Sequence, residues 1–187
     1  MGTHIPDTLP GLPGNTPPAQ QRVDRMIRVN HAGEYGAKRI YEGQLAVLGK
    51  SPVAPVLEHM AQQEQHHLKA FEDMIVRRRV RPTALSPLWH VAGYALGAAT
   101  ALMGTRAAMA CTVAVEEVID EHYRRQLEQL PPDEAELRAN IEKFRAEELE
   151  HRDIGLEHEA EKTPAYRLLS VAIKTASRTA IWLSERI

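Results

Sequence analysis

Four glutamates and two histidines on the apolar faces of predicted helices constrain this chain more than any other feature. They occur in the order Glu, Glu-x-x-His, Glu, Glu-x-x-His, at Glu34, Glu64, His67, Glu116, Glu148 and His151. Each belongs to a run of apolar residues spaced three or four apart, which is the spacing of one helix face. A carboxylate on a core-facing stripe requires a neutralising partner, and two divalent cations balance four carboxylates. The pattern therefore predicts a buried site for two metal ions.

Five apolar stripes of helical period predict five helices, and no stretch alternates with the period of two that indicates a strand. The stripes cover residues 23–48, 53–74, 109–127, 137–158 and 166–183. Gly49 and Pro52 are expected to end the first helix. Two consecutive prolines are expected to end the third, and Asp133 to cap the fourth.

The lengths of the connections predict how these helices are arranged. The first and second helices, and likewise the third and fourth, are joined by short links and should pair antiparallel. A long segment, about residues 81–105, connects the two pairs. The pattern also repeats between the pairs, since Glu116 follows Glu34 by 82 positions and His151 follows His67 by 84. We therefore expect an all-α, ferritin-like four-helix bundle with one long crossover helix and an additional C-terminal helix.

The crossover segment, residues 82–105, contains no Asp, Glu, Lys or Arg. Its 24 residues are long enough to span a bilayer, which takes about 20, but a spanning helix would carry the charged bundle helices towards lipid. We favour a helix on the membrane surface, with Trp89 at the headgroup level and the basic run at residues 77–81 near anionic lipid. The alternative is a buried helix in which Gly93 and Gly97 permit close packing.

Composition excludes several classes of function. Lys and Arg number 23 against 25 for Asp and Glu, and with only two Phe and two Trp there is no basic, aromatic stripe to bind nucleic acid. The single cysteine, Cys111, excludes an internal disulfide and fits a reducing compartment. Residues 1–20 are rich in Pro and Gly and lack the apolar core of a signal peptide, so we expect a flexible arm before a domain over residues 21–187.

Several neighbouring glutamates are alternative candidates for the site. Glu117 is a rival of Glu116, but it shares its face with charged residues and is expected in solvent. Glu147 and Glu150 lie off the stripe that carries Glu148, and both are expected to be surface charges.

The remaining histidines and two tyrosines also fall near the pattern. His31, three residues before Glu34, is either an outer hydrogen-bond donor to the site or a packed side chain, and we expect the latter. The histidines without a matching glutamate are expected at the surface or at an interface: His59, His66 and His90. Tyr41 and Tyr123 follow Glu34 and Glu116 by two helical turns. They are interpreted as core residues, with pocket walls or redox-active side chains as alternatives.

The ligand types indicate which metal the site would hold. Imidazole and carboxylate ligands suit iron or manganese, and the absence of thiolates disfavours softer metals. A helical step of three lets each Glu-x-x-His pair reach one metal, while Glu34 and Glu116 on the facing helices can bridge. Iron is the usual metal where oxygen chemistry is performed, because two Fe(II) ions can deliver two electrons to O₂.

Six segments of the chain resemble the demethoxyubiquinone hydroxylases of ubiquinone biosynthesis. They are RVNHAGEYGAKRIYEGQ around Glu34, QEQHHLKAFEDM around Glu64, CTVAVEEVIDEHY around Glu116, FRAEELEHRDIGLEHEAE around Glu148, RVRPTALSPLWHVAGYALGAATALMG in the crossover and the terminal IWLSERI. The likeness covers about residues 22–187. Generic ferritins share the ligand pattern but not these flanking strings, and no ligand position departs from the family.

The resemblance implies a di-iron monooxygenase that hydroxylates the ring of a polyprenylated methoxy-benzoquinol (demethoxyubiquinol), with O₂ as co-substrate and NADH as electron donor. The six residues of the pattern would bind two iron ions. It also implies a peripheral position on a membrane surface, on the cytoplasmic face of the inner membrane if the protein is bacterial. A homo-oligomer or a ubiquinone-biosynthesis complex is the expected assembly, and the uncharged crossover would line the entry for the quinone.

Two alternatives use the same six residues. A ferroxidase or peroxidase of the ferritin–rubrerythrin type has the same ligands, but a soluble iron-storage shell has no use for an uncharged crossover. A non-catalytic lipid-binding protein would hold metal for stability only.

Overall fold

The computed structural model describes residues 18–187, and this range folds into six α-helices and one 3-10 turn, with no strand. The helices are α1 (Pro18–Leu48), α2 (Ala54–Arg78), α3 (Ser86–Leu102), α4 (Thr105–Gln129), α5 (Ala135–Glu157) and α6 (Tyr166–Ser184), and the 3-10 turn is Ala160–Lys162. The predicted all-α class is confirmed. Helix α1 begins three residues before the predicted boundary at residue 21, and the rest of the predicted arm lies outside the described residues.

Short links join α1 to α2 and α4 to α5, as the sequence predicts for two hairpins. The predicted cap of α5 is wrong. The residue before α5 is Glu134, which makes no capping hydrogen bond, and Asp133 is exposed one position further out. Glu134 instead pairs with Arg78 at the end of α2, at 2.7 Å, and this ion pair ties the two hairpins together.

Helix α4 is the central helix of the bundle and begins before its predicted stripe. Every residue from Ala107 to Glu116 is buried, because α5, α6 and α3 all pack against this stretch. A helix that is apolar all round has no amphipathic period. The sequence pattern therefore marked only the part of α4 that starts at Met109.

Two apolar clusters close the bundle on either side of the six residues of the pattern. One cluster contains Phe71 and Phe144, and the other contains Leu57, Met60 and Met109, and all of these side chains are fully buried. The four helices that carry the pattern residues are α1, α2, α4 and α5. Along each of them, the pattern residues lie between the residues of these two clusters. The glutamates and histidines are therefore sealed from water along the bundle axis.

Helix α3 packs on α1 through direct contact of the two backbones. A Cβ atom added to Gly97 would overlap the carbonyl oxygen of Ile40, and one added to Gly43 would overlap that of Tyr94. The predicted close packing through glycines is therefore present. The alternative of a buried crossover helix is wrong, because Leu102 is 76% exposed and Val91 is 65% exposed.

The outer faces of α3 and α6 are apolar and exposed. On α6 the exposed side chains include Leu168, Val171 and Trp182. Among the described residues, no helix has the length and apolar character needed to cross a bilayer. The basic run expected near lipid is partly neutralised, since Arg77 pairs with Glu136 as well as Arg78 with Glu134.

Candidate metal centre

The six residues of the pattern converge in the middle of the bundle, and each is at most 1% exposed. They form two groups of four, and within each group one potential ligand atom from every residue lies within 4.8 Å of the others. The first group is Glu34, Glu64, His67 and Glu148. The second group is Glu64, Glu116, Glu148 and His151.

The two groups share Glu64 and Glu148, and this differs from the expectation that Glu34 and Glu116 bridge. Helices α2 and α5 run antiparallel across the site. As a result His67 Nδ1 lies 3.1 Å from Glu148 Oε1, and His151 Nδ1 lies 3.3 Å from Glu64 Oε1. The glutamate of each Glu-x-x-His motif therefore faces the histidine of the other motif. Both glutamates, Glu64 and Glu148, are members of both groups.

The buried carboxylates of the site carry oxygens that need a cation. Five of these oxygens accept no hydrogen bond within the described residues: Glu34 Oε2, Glu64 Oε1, Glu64 Oε2, Glu116 Oε2 and Glu148 Oε2. An unsatisfied buried oxygen is costly, and an unpaired buried carboxylate more so. Oxygen and imidazole nitrogen are the ligands that iron and manganese accept, so these residues fit a pair of such ions.

Protonation of the metal-free site follows from the same crowding. Burial raises the pKa of Glu64 and Glu116 well above the usual range, and the Glu148 charge raises both further. Burial opposes ionisation of Glu148 too, but the neighbouring imidazoles of His151 and His67 lower its pKa to about 2. Burial opposes protonation of His67, but the neighbouring carboxylates of Glu148 and Glu34 raise its pKa to about 12. The pKa of His151 is raised as well, so protonated imidazoles are favoured on both sides of Glu148.

The outer nitrogen of each histidine is held by a side chain of the opposite helix. His67 Nε2 lies 2.7 Å from Glu147 Oε2, and His151 Nε2 lies 2.8 Å from Gln63 Oε1. The expectation that Glu147 is a surface charge is wrong, whereas Glu150 is exposed as expected. A signal existed in the sequence, because Gln63 and Glu147 each directly precede the glutamate of a Glu-x-x-His motif.

Two buried tyrosines hold the glutamates that belong to only one group. The Tyr41 hydroxyl donates to Glu116 Oε1 at 3.1 Å, and the Tyr123 hydroxyl donates to Glu34 Oε1. Burial and the nearby carboxylates raise the pKa of both tyrosines well above 10, so both remain protonated donors. Both are core residues, as expected, but with a polar role at the site.

The other candidates lie outside the site. Glu117 is partly exposed and pairs with Lys174, so the choice of Glu116 over Glu117 agrees with the geometry. His31 is half-buried, and its Nδ1 has no hydrogen-bond partner in the described part of the chain, which fits a packed side chain. The histidines expected at the surface are exposed, namely His59, His66 and His90.

An apolar cavity of about 180 Å³ reaches the site from the side of the bundle. Its walls are α3 and α6, and its floor is formed by α1 and α4. The lining includes the buried Glu34 and Tyr123 together with His122, and Trp89 of α3 donates a hydrogen bond to Ser184 of α6 at 3.0 Å. The cavity therefore leads from the exposed apolar faces of α3 and α6 to one glutamate of the candidate metal centre.

A second, larger cavity of about 460 Å³ adjoins the first and is lined by charged residues. Its four arginines are Arg22, Arg25, Arg125 and Arg178, against two glutamates, Glu121 and Glu185. The two cavities have three wall residues in common: Val29, His122 and Ile181. Arg125 and Arg178 pair with Glu121, whereas Arg22 and Arg25 form no ion pair among the described residues. This arginine pocket could bind an anionic group next to the apolar cavity through the latter two side chains.

Comparison with known proteins agrees with this architecture. A family model described as "Ubiquinone biosynthesis protein COQ7" matches residues 21–184. The chain is 56% identical over 177 residues to the 3-demethoxyubiquinol 3-hydroxylase of Rhodospirillum rubrum, covering 94% of this chain and 83% of that protein. It is 58% identical over 169 residues to the human NADPH-dependent 3-demethoxyubiquinone 3-hydroxylase, mitochondrial, covering 88% and 78%. It is 44% identical over 182 residues to the 5-demethoxyubiquinone hydroxylase, mitochondrial, of Saccharomyces cerevisiae, covering 88% and 78%.

Proposed function

Because this chain belongs to the family of the ubiquinone biosynthesis protein COQ7, we propose that it hydroxylates the ring of a polyprenylated methoxy-benzoquinol, demethoxyubiquinol. The relatives above carry the names of demethoxyubiquinol or demethoxyubiquinone hydroxylases. The observation that carries the proposal is the convergence of six buried carboxylate and imidazole side chains, one of which, Glu34, also lines an apolar cavity.

The proposed metal ligands are Glu34, Glu64, His67, Glu116, Glu148 and His151, and the proposed metals are two iron ions. Two iron ions bound here would supply the activation of O₂ that ring hydroxylation requires. Glu64 and Glu148 belong to both groups of potential ligands, and Glu34 and Glu116 to one each. This division supports a site in which the carboxylates of Glu64 and Glu148 are shared by the two metal ions.

The surrounding residues would fix the orientation of the ligands. Glu147 and Gln63 hold the outer nitrogens of the two histidines, so that Nδ1 of each ring points into the site. Tyr41 of α1 donates to Glu116, and Tyr123 of α4 donates to Glu34. The two histidines lie on the other two helices of the bundle, α2 and α5.

The substrate would enter through the apolar cavity. A benzoquinol ring at its inner end would lie beside Glu34, and an isoprenoid tail would leave between α3 and α6, where the protein surface is apolar. That surface supports attachment to a membrane, which in a bacterium would be the cytoplasmic face of the inner membrane. The apolar walls would also exclude water from the reacting ring.

NADH is the proposed electron donor, and the human relative carries the name of an NADPH-dependent enzyme. A dinucleotide carries phosphate groups that arginine binds well. The arginine pocket offers two arginines outside the ion pairs with Glu121, Arg22 and Arg25. Its wall meets that of the apolar cavity at Val29, His122 and Ile181. A nicotinamide ring there would be a close neighbour of the quinone ring.

The apolar cavity also separates this proposal from its alternatives. A ferroxidase or peroxidase of the ferritin–rubrerythrin type needs a polar route for iron or peroxide, whereas the route to Glu34 here is apolar. A non-catalytic lipid-binding protein would use the cavity but would not need a dinucleotide pocket beside it. A homo-oligomer or a ubiquinone-biosynthesis complex is proposed as the working assembly.

Product analysis tests the proposed function. The protein is loaded anaerobically with Fe(II), mixed with NADH and a short-tailed demethoxyquinone, exposed to oxygen and examined by mass spectrometry. We expect two irons per chain and a product with one added oxygen atom. Glu148→Ala should abolish the product and the restoration of ubiquinone in a strain without its own hydroxylase. Glu150→Ala, which changes an exposed neighbour, should behave as wild type. Hydroxylation by Glu148→Ala would contradict the proposal.

A further inference from the structure

His122 lies where the apolar cavity and the arginine pocket meet, and its ring lines both. Burial and the neighbouring Arg125 charge lower its pKa to about 4, so the side chain is neutral at pH 7. A neutral imidazole has one nitrogen that donates and one that accepts. The chemistry that His122 offers to the cavities therefore depends on which nitrogen carries the proton.

A buried pair of amides decides the position of this proton. Asn30 Nδ2 donates to Gln126 Oε1, and Gln126 Nε2 donates to Asn30 Oδ1, both at 2.8 Å. The second hydrogen of Gln126 Nε2 points to His122 Nε2, also at 2.8 Å. In this orientation of the two amides, His122 Nε2 accepts the hydrogen bond from Gln126, which lies closer than Asn30 Oδ1 at 3.3 Å, and the proton of the ring is on Nδ1.

The Nδ1–H group of His122 has no acceptor among the described residues, and the wall of the apolar cavity beside it is largely apolar. Two other donors of that wall are already engaged, because the Tyr123 hydroxyl donates to Glu34 and the Trp89 indole donates to Ser184. A few placed polar groups in an apolar wall fix the orientation of a ligand. Next in sequence is Tyr123, whose hydroxyl donates to Glu34. A ring oxygen bound by His122 would therefore hold the ring close to the candidate metal centre.

We infer that His122 binds a ring oxygen of the quinol through its Nδ1–H group, and that Asn30 and Gln126 are positioning residues that maintain this tautomer. The inference rests on the proposed function for the identity of the ligand. It concerns binding rather than the hydroxylation step, so the two can fail separately.

The contact is tested by removing one partner at a time, either an oxygen of the ligand or the His122 side chain. Dissociation constants are measured anaerobically on iron-loaded protein for a short-tailed methoxy-benzoquinol and for its two monophenol analogues, each lacking one ring oxygen. For wild type, one of the monophenols should bind about tenfold more weakly than the quinol, which is the value of one good hydrogen bond. In His122→Phe this difference should disappear. In His122→Asn, whose amide nitrogen is placed like Nδ1, most of it should return.

The tautomer is read separately by ¹⁵N NMR of protein loaded with diamagnetic Zn(II) in place of iron. Wild type should show a protonated Nδ1 and an unprotonated Nε2 at His122. In Gln126→Leu the proton should move to Nε2, where Asn30 Oδ1 lies within 3.3 Å, and the quinol should bind as weakly as in His122→Phe. Iron content and melting temperature of each variant check its folding.

The outcomes separate the two proposals. If wild type distinguishes the quinol from one monophenol and His122→Phe does not, but wild type forms no hydroxylated product, the proposed function fails and the His122 contact stands. If wild type hydroxylates and His122→Phe keeps the wild-type discrimination, the inference is overturned. Protonation of wild-type His122 on Nε2 would overturn it as well.

Discussion

The ring of His67 spans two carboxylates, with Nε2 2.7 Å from Glu147 and Nδ1 3.1 Å from Glu148. Glu147 and Glu148 are consecutive residues of α5, and they reach the two edges of one imidazole on α2. The Nε2 contact sets the tautomer and rotation of the ring, and the Nδ1 contact points it into the site. The other Glu-x-x-His motif has the same outer contact, in which Gln63 Oε1 lies 2.8 Å from His151 Nε2.

Replacing Glu147 by Gln should weaken iron binding by about 10- to 100-fold, because an outer carboxylate partner makes its histidine a better and better-oriented ligand. Anaerobic competition with a chromophoric Fe(II) chelator measures this change. Glu150→Gln removes an equal charge from an exposed residue and should leave the affinity unchanged. Equal affinities for Glu147→Gln and wild type would show that the contact does not orient the ligand.

Gly97→Ala should lower the free energy of unfolding by about 1–3 kcal/mol, because the new methyl group overlaps the Ile40 carbonyl and forces α3 away from α1. Gly33→Ala is the matched control on α1, since a Cβ there meets nothing within 4 Å. It should stabilise the helix by about 0.5–1 kcal/mol. Urea unfolding measures both, and a neutral Gly97→Ala would contradict the close backbone contact.

Val91→Glu with Leu102→Glu should reduce binding to anionic lipid vesicles at least tenfold, because both side chains are exposed on the apolar face of α3. Val76→Glu on α2, where the valine is 75% exposed, is the control for an added charge elsewhere. Vesicle sedimentation measures the bound fraction, and iron content should stay the same in all variants. Undiminished binding by the double variant would remove the membrane proposal for α3.

His122 should make stability fall as the pH is lowered from about 6.5 to about 4. The folded protein keeps this histidine neutral because burial lowers its pKa to about 4, whereas the unfolded chain takes up a proton near pH 6.5. Above pH 6.5 the histidine is neutral in both states and does not lower the stability. Below pH 6.5 the unfolded chain binds a proton that the folded protein does not, so the free energy of unfolding falls. Over this window, metal-free wild type should lose on the order of 2 kcal/mol more than His122→Phe or His122→Asn in urea unfolding. Parallel pH profiles would contradict the assigned cause.

Local patterns in the sequence predicted most of the scaffold. Glu34, Glu64, Glu116 and Glu148 stand out because a carboxylate interrupts an apolar stripe, and such a stripe is a property of consecutive residues on one helix. Short links similarly predicted the two hairpins, and both links are five residues long in the structure. The predicted cap at Asp133 is wrong because α5 begins one residue later, after Glu134, whose side chain binds Arg78, distant in sequence, and does not cap the helix.

The chain by itself determined which residues share a helix face, and hence the six side chains that meet in the bundle. Only the tertiary structure decided that Glu64 and Glu148 lie between the two groups, that Glu147 supports His67, and that α3 and α6 enclose a cavity. These features depend on how far antiparallel helices are shifted along each other and how closely their backbones approach. Packing between distant segments sets both quantities, and no periodicity within one helix records them.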